Sequence, residues 1–205
     1  MTLPTISSDL DLLRLMTAGD EDAFALLYKR RQGNVYRFAL QMSGSQAIAE
    51  DVTQEVFIVL MREAARYDPN RGSLAAYLYG IARNYVLRRI EQDRMFVQFL
   101  DLPGEEEMTN AMVVEGDPLT DLTRNEMIEE LRQSILSMPP RYREVVVLCD
   151  LHEMSYIDAA GIIGCAVGTV RSRLHRARAL LVERLRAARE RNVASEEVKS
   201  ERCFA

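Results

Sequence analysis

The sequence contains no tryptophan and only three cysteines among its 205 residues. Three cysteines that lie far apart do not predict a disulfide framework. No apolar run approaches the roughly 20 residues that a membrane span requires. The first residues, MTLPTISSDLDLL, have neither the basic start nor the apolar stretch of a signal peptide. We therefore expect a cytoplasmic protein that does not insert into a membrane.

Sequence motifs of catalysis are missing as well. The chain has no phosphate-binding loop, no HExxH and no nucleophile elbow. Cys149, His152, Cys165 and His175 are candidate zinc ligands, but their spacing fits no standard zinc motif. Cys203 is a single thiol that could respond to redox state. We expect a protein that is not an enzyme and that uses no metal, cofactor or small-molecule substrate.

Acidic side chains outnumber basic ones, but the two kinds are distributed unevenly. The formal net charge is −5. Residues 97–130 hold ten acids and one arginine, whereas residues 166–191 hold eight arginines and two glutamates. Because phosphate contacts are short-range at physiological salt, local charge decides whether a protein binds nucleic acid. The overall acidity is therefore compatible with a basic surface that binds DNA.

The most informative segment is Cys165–Arg186, which reads CAVGTVRSRLHRARALLVERLR. Its apolar residues recur at helical spacing and predict one buried stripe, made of Val170, Leu174, Ala177 and Leu181. A short helix at 156–163, capped by Ser155, precedes it, and Gly164 ends that short helix. This order predicts a helix-turn-helix. Its arginine-rich face points outward, as the DNA major groove requires.

Four helices are predicted upstream of this motif. They begin near Asp9, directly after Asp20, near Gln46 and at Leu74. Acids at 20–22 favour the dipole of the second helix. Residues 43–45, SGS, predict a break, and residues 67–72, YDPNRG, predict a loop.

Two polar faces in this half have more than one interpretation. Asp51, Gln54 and Glu55 lie off the apolar stripe of the third helix, either as a solvated face or as a docking surface for a basic partner. On the fourth helix, tyrosines and arginines interleave with Asn84. Such residues can stack on and hydrogen-bond to unpaired bases, although periodicity alone favours ordinary core-edge and solvent positions.

Residues 96–120 change in composition and predict an acidic, flexible linker. The linker separates a helical domain at 1–95 from a second one at 121–190. Within the second domain, 141–151 is rich in valine, and we interpret it as a short buried helix because a lone strand would have no partner. Residues 191–205 are predicted to be disordered. The predicted fold class is all-α, with two small helical domains of which the second is a helix-turn-helix.

Two blocks of the sequence resemble bacterial sigma factors. The block AEDVTQEVFIVLMREAARYDPNRGSLAAYLYGIARNYVLRRI (49–90) is similar to their second region. The block MPPRYREVVVLCDLHEMSYIDAAGIIGCAVGTVRSRLHRARALLVERL (138–185) is similar to their fourth region. With no domain between the blocks, the chain resembles the extracytoplasmic-function (ECF) group, and the likeness covers most of residues 20–188.

The resemblance implies a transcription factor that binds core RNA polymerase and promoter DNA. The N-terminal domain is expected to dock on the clamp helices of the largest subunit and to open the −10 element. The C-terminal domain is expected to read the −35 element and to contact the flap of the second large subunit. The linker is expected to thread the RNA exit path, although a plain solvated tether fits the sequence equally well. Family members are commonly held by an anti-sigma factor, so such a partner is expected too.

Residue by residue, the resemblance assigns three surfaces. Polymerase docking falls to Asp51, Gln54, Glu55 and Phe57. Recognition and melting of the −10 element fall to Tyr67, Arg71, Tyr77, Arg83, Asn84 and Arg88. Base-reading positions at the −35 element are Arg171, Ser172, His175 and Arg176, and its phosphates fall to Thr169, Arg173 and Arg178.

Some residues depart from the family pattern. Tyr77 stands where the family usually has Trp, and Gly80 stands where it often has Arg or Lys. A glycine inside a helix costs roughly 1 kcal/mol relative to alanine, and Gly80 also removes a charge that would face DNA. Gly161 replaces a usually charged position. The alternative function is an ordinary helix-turn-helix regulator that binds a palindrome as a dimer, but the block at 49–90 counts against it.

Overall fold

The computed structural model describes residues 8–100 and 118–203, with side chains placed for 8–92 and 127–187. In this part of the chain all regular structure is helical, which confirms the all-α prediction. The helices are α1 (Asp9–Thr17), α2 (Glu21–Ser43), α3 (Gln46–Glu63), α4 (Leu74–Leu100), α5 (Pro118–Leu136), α6 (Pro140–Val146), α7 (Tyr156–Ile163) and α8 (Val167–Cys203). Among these described residues, none of the helices has the length and apolar character that a bilayer crossing needs.

Small polar residues and glycines set the ends of the helices. Ser45 and Ser155 are the N-caps of α3 and α7, and each side-chain oxygen accepts a hydrogen bond from a backbone N–H three residues later. Gly44 and Gly164 end α2 and α7 in the left-handed conformation, with φ of 76° at both positions. The predicted breaks therefore lie where the sequence supplies the chemistry to end a helix.

Helices α1–α4 pack around one apolar core. Its largest fully buried side chains include Leu27, Phe38, Met42, Leu60 and Leu78. The apolar stripe of α3 lies in this core: Val52, Val56 and Leu60 are buried, and Val59 is half-buried. On α4, the helical period predicts an apolar stripe that runs through Leu74 and Leu78 and leaves Tyr79 outside it. Tyr79 is nevertheless only 5% exposed. Its ring packs on Phe38 at a centroid distance of 5.2 Å.

Helices α5–α8 form the second domain. The valine-rich segment is helical and buried, as predicted: α6 is followed by a π-helical turn, Val147–Leu151. Ala159 and Ala160 are buried and allow α7 to approach α8 closely. In the predicted stripe of the helix-turn-helix, Val170, Leu174 and Ala177 are buried and Leu181 is partly buried.

The two domains pack against each other, and Arg143 of α6 lies at their junction. Its guanidinium is buried and donates hydrogen bonds to the carbonyl oxygens of Met42 (2.5 Å), Met138 (3.1 Å) and Leu136. Met42 and Leu136 lie at the C-terminal ends of α2 and α5. Carbonyls there lack helical partners and carry the negative end of the helix dipole. A single cation therefore joins a helix end from each domain.

The ends of the domains differ from the predicted boundaries. Helix α4 continues to Leu100 and α5 begins at Pro118, so residues 101–117 of the predicted linker lie outside the described residues. Helix α8 continues to Cys203, where the sequence predicts a disordered tail. Residues 187–203 contain neither glycine nor proline and are rich in strong helix formers, which favours continuation of α8.

His152 connects the domains through two hydrogen bonds. Its Nδ1 lies 2.8 Å from the hydroxyl of Tyr79, and its Nε2 lies 2.9 Å from Oε1 of Gln41. Burial, together with the charge of Arg37, lowers the pKa of His152 to about 4. Because this value lies below the ordinary value, the folded chain binds fewer protons than the unfolded chain. The stability that depends on neutral His152 is complete above about pH 6.5 and is lost as the pH falls towards 4.

We predict that lowering the pH from 7 to 5 reduces the free energy of unfolding by about 1–2 kcal/mol through His152 alone. Urea denaturation of the wild type and of His152→Gln at both pH values measures this, since the variant retains all other titrating groups. The wild type should lose more stability than the variant. Equal losses in the two proteins would contradict the role of His152.

Candidate nucleic-acid interface

The exposed face of α8 carries the predicted base-reading residues. Arg171, Ser172, His175 and Arg176 are all exposed, on the opposite side of the helix from the buried stripe. The guanidinium of Arg171 lies 6.0 Å from the centroid of the Tyr156 ring. The structure therefore brings these four side chains together on one open surface.

Two of the predicted phosphate contacts are engaged by carboxylates of the same chain. Arg178 forms a bidentate pair with Asp150, at 2.6 and 3.1 Å, and these hydrogen bonds raise the pKa of Arg178. Arg173 donates to Oε1 of Glu144 at 3.2 Å. Thr169 is half-buried and its carbonyl accepts a hydrogen bond from Ser172. The arginine face is thus partly neutralised.

Tyr142 is a neighbour of this surface that the sequence did not reveal. A hydrogen bond with Arg176 lowers the pKa of the Tyr142 hydroxyl. The guanidinium of Arg141 lies 4.9 Å from the centroid of the Tyr142 ring. Tyr142 belongs to α6, far from Arg176 in sequence, so only the tertiary packing of α6 on α8 brings the two together.

Four of the six predicted melting residues, Tyr67, Arg71, Tyr77 and Asn84, line a cleft of roughly 460 Å³ between α4 and α7. Tyr67 and Tyr77 form its aromatic wall, with ring centroids 5.4 Å apart. The Tyr67 hydroxyl donates to the carbonyl of Gly72 at 3.0 Å, which fixes the loop before α4. Arg71 and Asn84 also line the cleft and are exposed.

The opposite wall of the cleft comes from the other domain. It consists of Ile157, Asp158, Gly161 and Ile162 of α7. Gly80 and Gly161 both line the cleft, and a Cβ added to either would meet no atom within 4 Å. The two departures from the family pattern therefore leave open space at this contact between the domains.

Arg83 does not lie on the open surface with the other melting residues. Its guanidinium is 18% exposed and pairs with Glu144 of α6, at 2.7 Å from Nη2 and 2.8 Å from Nε. Arg88 is exposed, and its guanidinium lies 5.7 Å from the centroid of the Tyr85 ring. The helical period could not identify the burial of Arg83, because it results from packing between domains.

The candidate docking face on α3 is only partly exposed. Asp51 and Gln54 are exposed and Glu55 is half-exposed. Asp51 approaches Arg89 of α4 at 3.4 Å. Phe57 departs from its assignment, because its side chain is 2% exposed and lies in the core.

The ring of Phe57 packs edge-on against Tyr28, at a centroid distance of 4.7 Å, and against Phe24, at 6.5 Å. Its position therefore supports the packing of α2 on α3, and it does not offer a surface to a partner. The helical period places Phe57 close to the core residues Val56 and Leu60, a signal that already pointed to burial.

Comparisons with known proteins give consistent results. Two family models match, Sigma-70 region 2 over residues 27–95 and Sigma-70 region 4 over residues 128–181. The ECF RNA polymerase sigma factor SigW of Bacillus subtilis is 32% identical over 178 residues, which cover 85% of this chain and 95% of SigW. The ECF RNA polymerase sigma factor SigE of Mycolicibacterium smegmatis is 34% identical over 152 residues, 74% of this chain and 57% of that protein.

The fold likeness extends over both domains. The sigma factor RpoE, solved in complex with the anti-sigma factor NepR from Bartonella quintana, superposes with a TM-score of 0.65 at 25% identity. The superposition covers 80% of this chain and 96% of RpoE.

We predict that Phe57→Ala lowers the free energy of unfolding by about 3–5 kcal/mol, since it empties a filled core position. The matched control is Gln54→Ala on the exposed face of the same helix, which should change stability by no more than about 0.5 kcal/mol. Chemical denaturation measures both. If Phe57→Ala lost no more stability than the control, the core position of Phe57 would be contradicted and its assignment to polymerase docking would stand.

Proposed function

Because the chain belongs to the ECF group of the sigma-70 family, we propose that it divides promoter recognition between its two helical domains. The family consists of transcription initiation factors and not of enzymes, and its members bind core RNA polymerase and promoter DNA. The N-terminal domain, residues 1–95, opens the −10 element, and the C-terminal domain, residues 121–190, reads the −35 element. The observation that carries this division is the exposed arginine and histidine face on the second helix of a helix-turn-helix.

The C-terminal domain recognises the −35 element through α8. Arg171, Ser172, His175 and Arg176 face the base edges of the major groove, whereas Thr169, Arg173 and Arg178 contact phosphates. A bidentate arginine–guanine pair supplies about 1–3 kcal/mol of discrimination. Phosphate contacts fix the register of the helix but carry no sequence information. The contact between Tyr142 and Arg176 supports a fixed orientation for that arginine.

The N-terminal domain opens the duplex with the residues of the cleft. Separating base pairs costs stacking free energy at each step, and the binding of extruded bases offsets part of this cost. Tyr67 and Tyr77 offer rings on which bases stack, and Asn84 offers an amide for their edges. Arg71 and Arg88 attract the backbone of the single strand. Opening of this kind needs no nucleotide hydrolysis.

Polymerase docking uses the exposed polar part of α3. Asp51, Gln54 and Glu55 form a partly acidic face, which complements the basic clamp helices expected for the polymerase. Phe57 contributes only by holding α3 in place. The linker, residues 96–120, sets how far apart the domains can lie when both contact the polymerase.

Control by an anti-sigma factor completes the proposal, and cytoplasmic localisation accompanies it. RpoE, whose fold this chain shares, was solved in complex with the anti-sigma factor NepR. An anti-sigma factor that masks α3 or the cleft would keep this chain from the polymerase or from DNA.

The proposal is tested by mixing the protein with core RNA polymerase and a supercoiled library of promoter-containing DNA, followed by mapping of transcript starts. Starts that appear only when the protein is present, downstream of a shared pair of elements, support the proposal. Tight dimeric binding to DNA without binding to the polymerase would overturn it in favour of an ordinary regulator.

We predict that Arg171→Ala and Arg176→Ala each lower transcription from such a promoter by about 5–150-fold, because one base contact carries about 1–3 kcal/mol. Affinity for core polymerase should stay within about twofold of the wild type, since neither arginine belongs to the proposed docking face on α3. Arg14→Ala, an exposed arginine of α1 outside the proposed DNA and polymerase contacts, is the control for charge. An equal loss of polymerase affinity would show that the α8 assignment is wrong.

A further inference from the structure

Asp9 stands at the N-terminal end of the buried face of helix α1. This face continues at helical spacing through Leu12, Leu13 and Met16, and both leucines lie in the core. The side chain of Asp9 is itself only 12% exposed. None of the surfaces that we assign to DNA or to polymerase includes α1. The role of this shielded carboxylate therefore depends on what it holds in place.

Two consecutive arginines of α2 bind the carboxylate. Arg30 donates from Nη1 to Oδ1 of Asp9 at 2.9 Å. Arg31 donates from Nε to Oδ2 at 2.6 Å, with a further contact from its Nη2. Charge-assisted hydrogen bonds of this kind are strong and directional. They fix the N-terminal end of α1 in one position on α2.

Helix α1 also contacts the segment that leads into the tyrosine wall of the cleft. It packs against the 3-10 turn Ala64–Arg66, whose first residue is buried. Tyr67 directly follows this turn, and its ring packs on Tyr77 at a centroid distance of 5.4 Å. Burial raises the pKa of the Tyr67 hydroxyl, and the charges of Asp68 and Asp9 add to the effect. The Asp9 carboxylate thus lies near Tyr67 while it is bound to α2.

We propose that α1 belongs to the strand-opening apparatus, with Asp9 as a positioning residue that fixes Tyr67 and Tyr77 for stacking on extruded bases. The inference rests on the function proposed above. A ring that is already in place binds a base without the entropic cost of its own ordering. More of the stacking free energy then remains to offset the separation of the base pairs.

The ion contact is suited to positioning because the fold does not depend on it alone. Leu12 and Leu13 keep α1 on the core independently of Asp9. The side chains of both arginines are 28% exposed, so water can hydrate them when the carboxylate is neutralised. Loss of the Asp9 charge should therefore loosen the N-terminal end of α1 without detaching the helix.

The test uses the holoenzyme, formed from core polymerase and the full chain, on a promoter found by mapping transcript starts. Asp9→Asn keeps the shape of the side chain and removes its charge. A fluorescent adenine analogue in the −10 element reports the rate of strand opening. The variant should open this duplex about tenfold more slowly than the wild type, as expected for one weakened base stack, with polymerase affinity within about twofold.

The same promoter with a mismatched, already open −10 element separates positioning from folding. This template does not have to be melted, so Asp9→Asn should initiate on it within about twofold of the wild type. A misfolded variant would fail on both templates. The matched control is Asp11→Asn, which removes the same charge from the exposed face of the same helix. The control should open the duplex at the wild-type rate.

Arg31→Gln removes the other side of the contact and decides the outcome if circular dichroism shows that Asp9→Asn does not fold. It should also slow opening of the duplex and recover on the open template. Opening at the wild-type rate in folded Asp9→Asn, or in Arg31→Gln where that variant decides, would overturn the inference. An equal loss on both templates by a folded variant would overturn it as well.

Transcription by the wild type separates this inference from the function on which it rests. If the wild type initiates transcription while the variants open the duplex just as fast, the role of α1 is overturned and the sigma function stands. If the wild type supports no transcription, the proposed function is overturned, and the role of α1 with it.

Discussion

The buried guanidinium of Arg143 is the interaction on which the arrangement of the two domains depends. It donates to carbonyl oxygens at the ends of α2 and α5 and to the loop between α5 and α6. Desolvating an arginine is costly, and it is compensated here by helix-end carbonyls that lack intrahelical partners. Arg143 thus holds the C-terminal ends of α2 and α5 together, and Glu144, the next residue of α6, lies between Arg83 of α4 and Arg173 of α8. One turn of helix thus supplies both the cation and the carboxylate of the interface.

Charge pairing within the chain explains how an acidic protein can carry a DNA-binding surface. Two carboxylates of the C-terminal domain pair with arginines of α8. Glu144 and Asp150 lie directly beside arginines that we assign to DNA. These two carboxylates balance part of the arginine charge within the chain, so the overall net charge does not describe the surface that we assign to DNA.

Much of the fold could be predicted from the sequence because its local signals agree with each other. Ser155 and Gly164 mark the ends of α7, and the spacing of Val170, Leu174 and Ala177 marks the buried face of α8. The burial of Arg83 and Glu144 could not be predicted, because it arises between domains that are distant in sequence. Helical periodicity predicts which residues face the core of their own domain. It does not predict which exposed residues of one domain are buried by the other domain. The resemblance to sigma factors assigned Arg83 to DNA, and it gave no indication that Arg83 pairs with Glu144 in this structure.

The two domains contact each other in the structure, and we expect core polymerase to separate them when both domains dock on it. Spin labels at Gln46 of α3 and Gln133 of α5, two exposed positions that flank the contact between Gly44 and Leu136, report the distance between the domains directly. Pulsed electron paramagnetic resonance should give a narrow distribution of short distances for the free chain. For the chain bound to core polymerase, the distances should be longer. A distribution that is unchanged on binding, or already long in the free chain, would contradict the claim.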